Sequence, residues 1–275
     1  MEKIKKIVHE LRTRSRSVTE DQILHVVREY LQVLALKIIY QSEHGRCLSF
    51  MGGTCLRLCY DLKRYSEDLD FCLDRPSGRY RFSSMVRKIQ RELETRGFEV
   101  VTNVHEEKTV QKAFLRFSGF QEGLNLTGFR KNQKLHIKLE VDRKPHPLQK
   151  DECESFFVHR FNEIFPILKH NRATLFAGKV LAVLQRPYTR GRDYYDLIWY
   201  LTHQVPLNLS YFRRGFQGDP PSSLEEVFKA LETKVLALKP EVILRDMGAF
   251  LEDPQEADWI RRYQELFSQC LRSYV

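Results

Sequence analysis

No apolar run in this 275-residue sequence approaches the roughly 18 residues that a membrane-spanning helix requires, so no membrane association is expected. The six cysteines, Cys47, Cys55, Cys59, Cys72, Cys153 and Cys270, form no C-x-x-C pair, which excludes a zinc ribbon or a dithiol redox motif of that kind. Cys55 and Cys59 stand four apart, the spacing of two small apolar residues on one buried helix face. Neither an internal repeat nor a low-complexity tract is present. The opening residues, Met1-Glu2-Lys3-Ile4-Lys5-Lys6, read as the start of an amphipathic helix and not as the apolar core of a signal peptide. Together these point to a cytoplasmic protein.

Hydrophobic residues make up 42% of the chain and aromatic residues 12%, enough to build a core and to exclude global disorder. The length accommodates one large domain or two ordinary ones. A net charge of +9 favours an acidic partner, with nucleic acid foremost.

Hydrophobic periodicity divides the chain into a mixed front and a helical back. Residues 2–13 place Ile4, Ile7, Val8 and Leu11 on one helical stripe, and residues 12–17 form a basic linker. Thr19-x-x-Gln22 has the form of a capping box, opening a long helix that Gly45 is expected to end. Leu48–Met51 reads as a short strand feeding a Gly52-Gly53 turn and a helix, and Leu69-Asp70-Phe71-Cys72-Leu73 as a second strand. A turn at Pro76-Ser77-Gly78 leads to a helix over 82–96 stopped by Gly97, then strands over 98–104 and 112–119. Residues 135–142 alternate with period two: Ile137, Leu139 and Val141 face the core, and His136, Lys138, Glu140 and Asp142 share the other face. Residues 156–158 and 163–168 are expected as edge strands. The remainder is helical, over 173–185 and 194–202, from a Ser223 cap to about Leu238, and from Pro240. A final helix opens at Asp253-Pro254 and runs nearly to the end. The expected class is α+β, with a mixed-sheet domain over 1–168 and a mainly helical domain over 169–275.

Chemistry concentrates around the second strand. Residues two apart in a strand point to one side, so Asp68 and Asp70 aim their carboxylates into one space, where a divalent metal is the usual partner. Upstream, Gly52 and Gly53 let the backbone approach a ligand closely, and the helix N-terminus that follows offers N–H groups to phosphate. A third carboxylate can come from Glu140 or Asp142 on a neighbouring strand, completing a two-metal site of the phosphoryl-transfer kind. In the helical half, Lys179 lies in an otherwise apolar helix, where it either snorkels to water or supplies a point charge to a nucleotide triphosphate. Asp193 and Asp196, at i and i+3, either orient Lys179 and nearby arginines or, for Asp193, cap a helix.

Gly52-Gly53-Thr54 followed by Ser66-x-Asp68-Leu69-Asp70-Phe71 resembles the signature of the DNA-polymerase-β-like nucleotidyltransferases. With Lys179-x-x-Ala182-x-x-x-Arg186 and Arg192-Asp193-x-x-Asp196-Leu197, the chain resembles the AbiEii/MenT-type toxins of bacterial abortive-infection and toxin–antitoxin systems, over residues of about 48 to 200. The resemblance implies a polymerase-β-like fold and an Mg²⁺-dependent (or Mn²⁺-dependent) transfer of a nucleoside monophosphate from an NTP to an acceptor hydroxyl, with a tRNA 3′ end as acceptor. It also implies a cognate antitoxin and a part in phage defence. By the same resemblance Gly52, Gly53, Thr54 and Ser66 hold the nucleotide, and Asp68, Asp70 and Glu140 hold metal. Lys179 neutralises the triphosphate, with Asp196 beside it in a cleft between the two halves. Glu140 would also help to deprotonate the acceptor. Gly53 stands where the wider superfamily commonly has Ser, so any hydroxyl contact falls to Thr54. Two other readings stay open: nucleotidylation of a protein or small molecule, and a catalytically silent RNA- or partner-binding module.

Overall fold

The computed structural model describes residues 1–14, 18–76, 78–124 and 135–274. Ser15, Arg16 and Ser17 of the basic linker, and Ser77 of the turn after the second strand, lie outside the described residues. The elements are α1 (Glu2–Arg14), α2 (Glu20–Tyr40), β1 (Leu48–Met51), α3 (Gly52–Tyr60), β2 (Asp68–Leu73), α4 (Phe82–Thr95), β3 (Glu99–His105), β4 (Val110–Ser118) and α5 (Phe120–Gly123). There follow β5 (Leu135–Asp142), β6 (Cys153–Arg160), β7 (Glu163–His170), α6 (Arg172–Gln185), α7 (Gly191–Thr202), α8 (Leu209–Gly215), α9 (Leu224–Leu236), α10 (Pro240–Met247), α11 (Ala257–Arg261) and α12 (Tyr263–Tyr274). They gather into two units, one of residues 1–61, 65–145 and 155–169, the other of residues 62–64, 146–154 and 170–275. None of the described helices is long and apolar enough to cross a membrane.

The first unit is built on a seven-stranded mixed sheet of order β3-β4-β5-β2-β1-β7-β6. Alternation decides which face is covered. Leu115, Ile137, Leu139 and Val141 are wholly buried on the side where α4 packs on β3 and α2 on β5. The alternate residues of β3, β4 and β5 are half-buried or exposed. The Thr19–Gln22 capping box forms as its spacing indicates, with Gln22 N–H donating to Thr19 Oγ1 (3.2 Å) and Thr19 N–H to Gln22 Oε1 (3.0 Å). β7 is not an edge strand: it takes β1 as a parallel partner at Phe50↔Lys169, leaving β3 and β6 at the edges.

Gly45 does not end α2. The helix stops at Tyr40, and Ser42 starts a separate 3₁₀ turn, Glu43–Cys47, by accepting from His44 N–H (3.2 Å) and donating to the Ile39 carbonyl (2.6 Å). Gly45 serves that fold-back, because a Cβ there would fall 2.5 Å from the Ile39 carbonyl oxygen.

In the second unit, Asn171 caps α6 by accepting from Thr174 N–H (2.8 Å). α7 starts three residues earlier than periodicity suggests, and Gly191 at its start packs where a Cβ would lie 2.9 Å from Asp246 Cβ and from the Ile243 carbonyl oxygen. Asp253 accepts from Gln255 N–H (2.9 Å) as its cap spacing indicates, yet the helix it opens is broken. A 3₁₀ turn and α11 precede a break at Arg262, which leaves Tyr263 wholly buried and donating to the Tyr194 carbonyl (2.7 Å).

Gly45→Ala is expected to lower the unfolding free energy by about 1–3 kcal/mol through overpacking. Gly178→Ala, in the interior of α6 with nothing within 4 Å of its Cβ position, is expected to raise it by roughly 0.5–1 kcal/mol. Denaturant titration of both variants checks the contrast.

Candidate active site

Strand register assembles the carboxylates. β2 runs antiparallel to β1, with Met51 opposite Asp70, and parallel to β5, with Asp68 beside Lys138, Asp70 beside Glu140 and Cys72 beside Asp142. Registered neighbours share a face, so Asp68, Asp70 and Glu140 lie on one side of β2 and β5, with Asp70 and Glu140 abreast. Asp142 is on the same side but one step further along, and its Oδ1 accepts from Lys144 N–H (2.9 Å).

The glycine turn closes onto this group. Gly52 has φ +80°, and a Cβ on it would sit 2.4 Å from Asp70 Oδ2, so position 52 tolerates no side chain while the Asp70 carboxylate keeps its place. Gly52 and Gly53 are partly exposed at the first turn of α3, and the N-cap residue Met51 makes no side-chain cap bond. Thr54 behaves differently from its neighbours. Its side chain is wholly buried and its hydroxyl donates to the Asp68 carbonyl, so that proton ties α3 to β2. Ser66 is partly exposed, and its carbonyl accepts from Gln32 Nε2 (3.1 Å), which fixes the approach to β2 from α2.

Electrostatics hold Glu140 in its charged form. Glu140 is bonded by Lys138 Nζ (2.7 Å) and Lys112 Nζ (3.0 Å). Burial by itself pushes the Glu140 carboxyl up, but these two ammonium groups outweigh it and hold it below the usual carboxylate range. Arg28 of α2 pairs with Glu67 (3.3 Å) and bears electrostatically on Asp68. Hard carboxylate oxygens on one face could hold a hard divalent cation such as Mg²⁺ or Mn²⁺ and suit a soft metal poorly. At Glu140 such a cation would compete with the two lysines.

In the second unit, Lys179 does not simply snorkel. Its Nζ bonds Asp193 Oδ1 and Asp196 Oδ2, both at 2.8 Å. Arg64 grips Asp196 with two bonds, Nε to Oδ1 at 2.6 Å and Nη2 to Oδ2 at 2.7 Å, and Arg186 bonds Asp193. Asp193 therefore orients cations and caps nothing, since the α7 N-cap is Arg190 without a side-chain bond. Asp196 is wholly buried with both oxygens engaged by Arg64 and Lys179. Burial pushes both carboxyls up, but the cations prevail and leave them below the usual range.

Sequence reasoning missed Arg28, Arg64 and Lys112. Arg28 lies in a helix buried nearly all round, which demands a partner for each polar group. Asp196, in the run Asp196-Leu197-Ile198, makes a similar demand that Arg64 answers. Lys112 becomes visible only through its register with Glu140.

Because Asp193 and Asp196 titrate lower folded than unfolded, their stabilisation is complete above the ordinary carboxylate range and is lost as pH falls through the depressed folded values. Asp196→Asn leaves Arg64 and Lys179 without their buried counter-charge. It is expected to cost about 3–5 kcal/mol near neutral pH, with the gap to wild type narrowing as pH falls below about 4. Denaturant midpoints measured across pH check both statements.

The family model described as nucleotidyl transferase AbiEii toxin, Type IV TA system, matches residues 34–274. No curated protein matches the chain significantly. Among solved structures, one from H. pylori, described as a candidate nucleotidyltransferase, superposes with a TM-score of 0.56 at 16% identity, covering 94% of this chain and 99% of the other. JHP933 from Helicobacter pylori superposes with a TM-score of 0.52 at 17% identity, covering 94% and 96%. At these identities the superpositions speak for the fold alone. The family match spans most of the chain and includes Gly52, Asp68, Asp70, Glu140, Lys179, Asp193 and Asp196: the protein belongs to the AbiEii nucleotidyltransferase toxin family.

Proposed function

We propose that this nucleotidyltransferase moves a nucleoside monophosphate from an NTP to an RNA hydroxyl, with a tRNA 3′ end as acceptor. It would act in the cytoplasm as the toxin of a pair whose antitoxin restrains it, in defence against phage. The observation that supports this reading best is the register that sets Asp70 abreast of Glu140, on the face that also carries Asp68 and under the Gly52 turn.

Asp68, Asp70 and Glu140 would hold Mg²⁺ or Mn²⁺, which when bound neutralises charge on the leaving pyrophosphate and acidifies a hydroxyl. The N–H groups at the start of α3, Gly52 and Gly53 among them, would receive triphosphate oxygens, with Ser66 alongside. The acceptor oxygen bonds to the α-phosphorus, the α–β anhydride bond breaks, and pyrophosphate departs. Glu140, ionised well below neutral pH, accepts the hydrogen bond of the acceptor hydroxyl and takes up its proton. The lysines that keep Glu140 charged also keep it a weak base, so most of the rate comes from positioning and fixed charge. Lys179 is assigned as a positive charge for the triphosphate, aimed by Asp193 and Asp196. Thr54 stiffens the turn from beneath, and any contact of its oxygen with phosphate would require the Asp68 bond to open.

Each labelled NTP incubated with the protein and total RNA is expected to leave label in RNase-sensitive material. Asp68→Asn and Asp70→Asn are each expected to reduce pyrophosphate release by about a hundredfold or more with the fold intact by circular dichroism. Label that survives RNase but not protease would move the acceptor to a protein. Undiminished pyrophosphate release in both variants would remove the carboxylates from the chemistry.

A further inference from the structure

The same sheet face continues past the carboxylates. Alongside Glu140, β4 contributes Lys112, Phe114 and Arg116, which register with Glu140, Lys138 and His136 of β5. β3 continues the surface, with Val101 beside Arg116 and Asn103 beside Phe114. None of this face belongs to the buried side: Phe114 is partly exposed, Arg116, His136 and Asn103 are exposed, and Val101 is 62% exposed. Phe114 and Val101 set apolar surface among charged and polar groups on this exposed face, a mixture that suits a ligand with both flat apolar faces and charge.

Three planar groups adjoin one another here. The Arg116 guanidinium lies 5.8 Å from the Phe114 ring centroid, and the His136 ring lies 6.3 Å from it. Lys138 stands opposite Phe114 and Lys112 opposite Glu140, and both bond the Glu140 carboxylate. The acid of β3, Glu99, is at the far corner and already accepts from Ser118 (2.7 Å). By strand spacing and rise, Phe114 lies about 8 Å from Glu140, within the span of one or two nucleotides. Aromatic rings and guanidinium planes on a sheet, flanked by lysines, suit unstacked bases and their phosphates, whereas duplex bases have no free faces to offer.

We infer that the open face of β3, β4 and β5, centred on Phe114 and Arg116, is a platform for the single-stranded 3′ end of an RNA, which leads its terminal hydroxyl to Asp70 and Glu140. The inference rests on the proposed RNA acceptor. Charge complementarity and unbroken continuity with the carboxylate face select RNA over a protein partner for this surface.

The test measures binding of a short fluorescent single-stranded oligoribonucleotide with a free 3′ hydroxyl by anisotropy, using the whole protein without NTP or divalent metal. Phe114→Ala is expected to weaken binding about 5- to 100-fold, and Phe114→Trp to preserve it. Arg116→Glu, at an exposed position, is expected to weaken binding and to flatten its salt dependence. In the transfer assay, KM for RNA should rise in Phe114→Ala while KM for NTP stays constant. No binding by the wild type, or unchanged affinity in Phe114→Ala and Arg116→Glu, overturns the platform. Transfer to RNA that persists alongside unchanged affinity overturns the platform alone. Phe114-dependent binding without any transfer supports the platform and counts against the RNA acceptor reaction.

Discussion

Parallel pairing of β2 with β5 is the constraint on which the rest of the first unit depends. It sets Asp70 beside Glu140 and Asp68 beside Lys138. A slip of one residue would turn all of these charges into the core and bring Leu69 and Leu139 to the surface. The apolar alternation of both strands forbids that slip, so burial of Leu69, Phe71, Leu139 and Val141 fixes the position of the acids. Carboxylates gathered this closely repel one another, and the surrounding cations answer that repulsion unequally. Lys112 and Lys138 serve Glu140, and Arg28 serves Glu67 and Asp68. The Gly52 turn presses against Asp70 and completes the enclosure from the β1 side.

The second unit solves a related problem with deeper burial. Arg64, Lys179 and Arg186 face Asp193 and Asp196, so these five groups carry one surplus positive charge. Taking so many charges out of water costs several kcal/mol per ion, and an apolar core of equal volume is often as stable. Such a network makes more sense as a device for orientation than for stability. Its effect is to hold the Lys179 ammonium in one place between two carboxylates.

Local features were legible in the sequence wherever the cause is local. The Thr19–Gln22 box, the alternation over 135–142, the paired aspartates of β2 and the Asp253 cap need only neighbouring residues, and the structure carries each of them. Features that depend on distant partners were not legible. The register that sets Glu140 beside Asp70, and Asp142 beside Cys72, pairs two strands some 70 residues apart in sequence. The interior place of β7 follows from its pairing with β1, which lies more than 100 residues away. Thr54 looks like a ligand group beside two glycines, yet its hydroxyl is taken by a carbonyl on β2. Gly45 looks like a helix stop, but its lack of a side chain serves a close approach to Ile39. The continuous helix read from Asp253 onward fails because burying Tyr263 requires a break that periodicity alone does not signal.

The central claim is that Asp68, Asp70 and Glu140 form one divalent-metal site serving a nucleotide. Its most direct measurement is titration of Mn²⁺ followed by electron paramagnetic resonance, with a non-hydrolysable NTP analogue present. Stoichiometric binding by the wild type, lost in Asp70→Asn and weakened in Glu140→Gln, is the predicted result. Mn²⁺ binding that persists undiminished in Asp70→Asn would contradict the claim.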